Sequence, residues 1–174
     1  MLILILFALR AQIATPAAEP SGVVSVCEMV ANDPTKLNGK VVAVRGMLVT
    51  TEEGDWLGSK GCDRHLVTKG LSWPSILEVQ LDDSNSARQS WKRMKDQARQ
   101  SVRDDQLDEV WVTIVGRIET RRSMDDEVVR MPYGMALAGF GHGSAAPAAI
   151  TAQVVKDVKV ERHVPQTPFP LGKQ

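Results

Sequence analysis

Two β-branched runs, KVVAVRGMLVTT at 40–51 and EVWVTIVGRIETR at 109–121, each carry a glycine near mid-length, and this constrains the fold more than any other feature. In the first, Val42 and Val44, then Met47 and Val49, lie on alternating pleats around Gly46. In the second, Val110, Val112 and Ile114 keep a period of two, and Ile118 resumes it after Gly116. The phase of the first run breaks at Gly46. A glycine inside a strand marks a bulge or sharp bend, which a strand needs when it serves both sides of a small closed barrel.

The rest of the chain supplies the other elements. SVCEMVANDP predicts a short helix with a capping box, Ser25 as N-cap and Glu28 three residues on. EEGD makes a hairpin turn into WLGSKG, and SILEVQL at 75–81 alternates Ile76, Glu78 and Gln80 against Leu77, Val79 and Leu81, a strand with one wet face. DSNSARQSWKRMKDQARQSVRDD changes to helical period, with Ala87, Trp91, Met94, Ala98 and Val102 in one stripe and Ser86 with Gln89 as a second capping box. Residues 122–148 read as a long loop. ITAQVVKDVKVER then closes the chain as a strand with Val154, Val158 and Val160 partly inward, ahead of a proline-rich tail at 164–174.

This order predicts a mostly β fold with helices. It is a five-stranded OB-fold-like barrel with an N-terminal helix, and an amphipathic helix joins the third and fourth strands. DPTKLNGKVVAVRG resembles the opening of small exported bacterial OB-fold proteins related to the tRNA-anticodon-like barrel group. GFGHGSAAPAAITAQVVKDVKV is similar to the ending of uncharacterised secreted proteins with a Gly-aromatic-Gly-His loop before a last strand. The resemblance spans most of residues 25–162 and implies a fold; the barrel group binds nucleic acids, sugars, proteins and metals alike, so it implies no single ligand.

The opening MLILILFALRAQIATPAAEPSG holds an apolar run from Leu2 to Leu9 that has signal-peptide length and is too short to span a bilayer. Residues 1–18 are therefore expected to be an export signal cleaved after Ala17 or Ala18, the alternative being an uncleaved anchor, and 24–163 one domain. With 21 basic and 21 acidic side chains, no global field draws the chain to nucleic acid or acidic membranes. The two cysteines, Cys27 and Cys62, are expected to pair in an oxidising compartment; the alternative makes Cys62, Asp63 and His65 metal ligands.

Candidate binding residues follow from charge, aromaticity and loop chemistry. Arg88, Lys92, Lys95, Arg99 and Arg103 form a basic helical stripe, suited to an anionic partner or simply to solvating an outer face. Trp56 and Trp73 flank the Cys62 loop and read first as core side chains, with the stacking platforms of a single-strand-binding barrel as the alternative, whereas Trp91 and Trp111 are assigned to the core outright. His142, between glycines in GFGHG, is expected to pin the loop through a backbone carbonyl, with a ligand contact as its second reading. Asp125, Asp126 and Glu127 read as a solvated cluster, with a metal site including His142 as the alternative. Ser144 lacks a nucleophile-elbow pattern. No catalytic constellation, metal or cofactor is expected, and the partner is expected to be a protein or an anionic polymer of the cell envelope, with single-stranded nucleic acid as the alternative.

Overall fold

The computed structural model describes residues 22–101 and 108–161. The expected export segment, the tail at 164–174, Val102 and Arg103 lie outside the described residues. The chain runs β1 (Val23–Ser25), α1 (Val26–Ala31), β2 (Val41–Thr51), β3 (Gly54–Gly58), β4 (Val67–Thr68), β5 (Leu71–Ser72), β6 (Ile76–Leu81) and α2 (Asn85–Ser101). It continues through β7 (Glu109–Glu119), β8 (Val128–Met131), β9 (Gly134–Leu137) and β10 (Ala149–Glu161). Three short 3-10 turns cover Pro34–Leu37, Met124–Glu127 and His142–Ser144.

The fold is mostly β, and its main sheet has six strands in the order β1-β2-β3-β6-β10-β7 with a further pairing of β2 to β7. That pairing gives the hydrogen bonding a ring-like closure. β6 and β10 are parallel, as are β1 and β2, and the other pairs are antiparallel. Inside lie Val44, Leu57, Leu77, Val112, Ile114, Ile118 and Ile150, and α1 adds Val26, Met29 and Val30 to the same core. α1 starts as its capping box predicts: the Glu28 amide donates to Ser25 Oγ at 3.1 Å and the Ser25 amide to Glu28 Oε2 at 3.0 Å.

The two strand glycines act differently from the expected bend. The register of β2 on β7 is unbroken from Val41↔Arg117 to Leu48↔Val110, so Gly46 carries no bulge. Val44, Gly46 and Leu48 stay on one inward phase; a Cβ at Gly46 would meet the Gly58 carbonyl oxygen and Leu57 Cγ at 2.7 Å and Val26 Cγ2 at 2.8 Å. Close packing demands that glycine. The bulges lie in β10 instead, at Ala152/Val154 and Lys156/Lys159 against β7, and Gly116 pairs with Ala152 at the first of them. One extra residue there inverts the pleat, so Val155 is buried and Val154 is 40% exposed, the reverse of the expected placement of Val154.

α2 buries Ala87, Trp91 and Met94, as its stripe predicts. Its start differs: the Ala87 amide donates to Ser84 Oγ at 3.3 Å, so Ser84 rather than Ser86 faces the first turn. Ser90 then accepts from the Val155 amide at 3.2 Å and Gln97 Nε2 donates to the Val158 carbonyl at 3.3 Å, which fixes α2 along the bulged half of β10. Trp111 is half-buried on the pleat opposite Val112 and Ile114, not among the inward valines. The supposed loop at 122–148 contains a hairpin, β8–β9, with Val128↔Leu137 at its root and Met131↔Gly134 at its tip.

Cys27 on α1 and Cys62 after β3 form a disulfide with Cα atoms 5.7 Å apart. It consumes the thiolate that a Cys62–Asp63–His65 metal site would need. Such a bond persists in oxidising, exported environments, and no helix among the described residues is long and apolar enough to cross a membrane.

Candidate functional site

The β7–β10 connection folds across β3 and meets the β2–β3 turn, which brings four sequence-distant features together. The turn is tight because Thr51 pairs with Gly54 and the Glu53 amide donates to Thr51 Oγ1 at 3.2 Å. Glu53 thereby projects to His142, whose Nε2 lies 3.3 Å from Glu53 Oε1, with both side chains more than half exposed. The imidazole thus finds a carboxylate partner in place of the expected backbone carbonyl.

The glycines of GFGHG are spacers against two tryptophans. Gly141 has φ of 76° and lies so close to the Trp56 ring that a Cβ would overlap it. Gly139 stands over Trp73, where a Cβ would reach the ring's Cζ3 at 2.9 Å and overlap the Ala146 carbonyl oxygen. Between them Phe140 is half-buried, with the Arg121 guanidinium 5.2 Å over its ring. The loop is braced internally, by Gly139 N–H to Ser144 O at 2.9 Å, Phe140 N–H to Ala146 O at 2.8 Å, Ala146 N–H to Phe140 O at 3.2 Å and Ser144 N–H to Gly141 O at 3.0 Å. These hydrogen bonds make the stretch a strap closed on itself.

Trp73 is fully buried and its Nε1 donates to Thr68 Oγ1 at 3.1 Å, which gives it a core role and no free face for a base. Trp56 is half-buried beneath Gly141. Trp73 therefore offers no stacking platform, and Trp56 has Gly141 against its ring.

Glu127 is a residue whose role the sequence conceals. It was expected in a solvated cluster; Asp125 and Asp126 are exposed, but Glu127 is fully buried at the root of the β8–β9 hairpin. Its Oε1 accepts from the Arg121 amide at 3.2 Å, its carbonyl accepts from the Ala138 amide at 2.6 Å, and Oε2 has no hydrogen-bond partner. Burial pushes its carboxyl up to about 7 against the weaker opposing pull of the Arg121 amide and charge. Among the described residues no three His, Cys, Asp or Glu side chains converge on a point, so Asp125, Asp126, Glu127 and His142 do not form a metal cage.

The hairpin above Glu127 is the most apolar exposed feature. Val129, Met131, Tyr133 and Met135 are four of the nine large apolar side chains exposed among the described residues, and Tyr133 is wholly in solvent. Arg130 is exposed among them, and 128–141 contains no carboxylate.

The basic stripe lies elsewhere, on α2. Arg88 pairs with Asp83 at 3.0 Å, Lys95 stands 5.5 Å over the Trp91 ring, and Lys92 and Arg99 are exposed. It does not join the strap.

Arg121 and Glu53 were not legible as site residues, because the packing of sequence-distant elements and not any local motif brings them to the strap, whereas Phe140 lies within the Gly-aromatic-Gly-His stretch itself. Protein-family profiles, curated proteins and solved structures give no match to this chain.

Proposed function

We propose that this chain is an exported OB-fold-like binding module of the cell envelope that presents the β8–β9 hairpin and the neighbouring strap to a protein partner. The strand order β2-β3-β6-β10-β7, with α2 between β6 and β7, supports the barrel half of this reading. In OB-folds the loop between the first two strands and the loop between the last two frame the ligand face, the positions taken here by the Glu53 turn and the 120–148 connection. The observation that carries the reading is that Val129, Met131, Tyr133 and Met135 are all exposed on one two-stranded hairpin, Val129 and Met131 on one face and Met135, paired with Arg130, on the other, since exposed apolar surface of this kind marks interaction sites.

Site-specific photo-crosslinking in the native host tests it. A crosslinker at Tyr133 is expected to trap one discrete protein, and that adduct is expected to vanish in a Met131→Ser, Met135→Ser variant that still folds. Crosslinks from Lys92 alone, with none from Tyr133, would overturn it.

A second reading has its own observation: over Asn85–Ser101 the helix carries five basic side chains and one acidic, and four of the five, Arg88, Lys92, Lys95 and Arg99, form a stripe suited to a polyanion such as single-stranded nucleic acid or an acidic wall polymer. Charge reversal of Arg88, Lys92 and Arg99 is expected to abolish salt-sensitive retention on an anionic matrix under this reading and to leave the Tyr133 crosslink intact.

A further inference from the structure

α2 is tied to β10 along one flank, and a cleft lies along its other flank. Ser90 and Gln97 tie the helix to Val155 and Val158 of β10. On the opposite flank, β2 parts from β7 after Leu48↔Val110 and continues with β3 alone. Between α2 and this divergence lies a cavity of about 310 Å³. It is lined by the apolar Leu48, Met94, Ala98 and Val110 and by Thr50, with Lys95 and Arg99 from α2 beside them.

These two charges have no anionic partner among the described residues: Lys95 stands over the Trp91 ring, and neither it nor Arg99 forms an ion pair. Nor do the acidic side chains bordering the cleft in sequence neutralise them. Asp96 and Asp108 form no ion pair with either cation, Asp55 is held by the Thr50 hydroxyl, and Glu109 pairs with Lys60 Nζ at 2.6 Å. An apolar lining beside two unpaired cations suits a molecule with an apolar body and an anionic head. Small-molecule sites span roughly 300–1,000 Å³, so this cleft lies at the small end, with space for one alkyl chain and not two. A planar guanidinium fork matches a carboxylate in bidentate geometry.

We propose that the α2–β2–β7 cleft binds the carboxylate of a single-chain fatty acid, its alkyl body on Leu48, Met94, Ala98 and Val110 and its head on Arg99 and Lys95. The inference is independent of the hairpin face and gives two of the stripe cations a specific role, while Arg88 and Lys92 lie outside the cleft.

Calorimetric titration of the full chain with decanoate below its micelle concentration tests this, with decanol as the neutral analogue and phosphatidylglycerol vesicles as the bilayer source of an anionic head. Decanoate is expected to bind one to one, and decanol about tenfold or more weaker, the loss of a charge-assisted hydrogen bond. Lys95→Gln with Arg99→Gln, both lining the cleft, is expected to weaken decanoate by a similar factor and leave thermal unfolding unchanged; Arg88→Gln with Lys92→Gln is expected to leave affinity unchanged. Ala98→Phe, which fills the cleft, is expected to abolish binding in a protein whose circular dichroism is native. The proposal fails if the folded chain does not bind decanoate, if decanol binds equally, if the Arg88/Lys92 pair matters as much as the Lys95/Arg99 pair, or if only vesicles bind.

Discussion

Glu127 is the side chain whose environment departs furthest from what its neighbours in sequence suggest. Its carboxyl is fully buried with one oxygen unpartnered, and burial raises it from an ordinary 4.5 to about 7. A group raised in the fold gives stability that is complete below pH 4.5 and is lost as pH rises through 7. The gap corresponds to about 3 kcal/mol at one 1.36 kcal/mol step per pH unit. Glu28 and Asp82, which hydrogen bonds from Ser25 and Ser84 hold below their usual range, titrate in the opposite sense and at lower pH. Urea unfolding is therefore expected to show falling stability from pH 5 to 8, and Glu127→Gln to flatten that fall and stabilise the protein at pH 8. An unchanged slope in the variant would refute the assignment. At the strap the same scale separates two neighbours. The exposed His142–Glu53 pair is worth about 0–1 kcal/mol, so His142→Ala is expected to melt close to the parent. Gly141→Ala forces a methyl into the Trp56 ring at a positive φ and is expected to cost about 2 kcal/mol or more, read from the same melts.

Regular elements were legible because their periods are local. The capping box of α1, the alternation in β6 as far as Val79 and the buried stripe of α2 each occupy the positions their side chains predict, while Leu81 at the end of β6 is exposed against expectation. β10 was legible as a strand but not in its facing, since Val155 turns inward only because β7 pairs across an extra residue. The β8–β9 hairpin was missed because its turn, Pro132-Tyr133, lacks the Asn-Gly or Asp-Gly signal and its outward side chains are apolar. For the site, GFGHG pointed to the right loop, yet Glu53, Trp56 and Trp73 reach it only through ring closure. At this scale the hairpin tip touches solvent and not core, so Tyr133→Ser is expected to change unfolding free energy by less than about 0.5 kcal/mol. A larger loss in urea titration would mean that the tip packs on the ring. By contrast Ser90→Ala strands the Val155 amide between α2 and β10, and is expected to cost about 1–3 kcal/mol.

For the molecule as a whole, the disulfide joins the N-terminal helix to the ring. Val26, Met29 and Val30 of α1 are buried in the ring's own core, and Val26 faces the space that Gly46 leaves open. Cys27 fastens this helix to the segment after β3, closing a loop with a sequence separation of 35. A crosslink acts mainly on the unfolded chain, and a loop of this size lowers its entropy by the equivalent of about 3–4 kcal/mol. Because the packing of α1 does not require the bond, a Cys27→Ser, Cys62→Ser variant is expected to fold, with the same circular dichroism, and to lose about 3–4 kcal/mol in denaturant unfolding. For a domain of this size that loss lowers Tm by about 10 °C. Reduction of the parent is expected to reproduce the same shift, since both remove one constraint. If the double variant instead loses α1 packing, seen as deprotection of the Met29 and Val30 amides in hydrogen exchange while β7 and β10 stay protected, then the bond holds the helix in place and does not merely restrict the unfolded state.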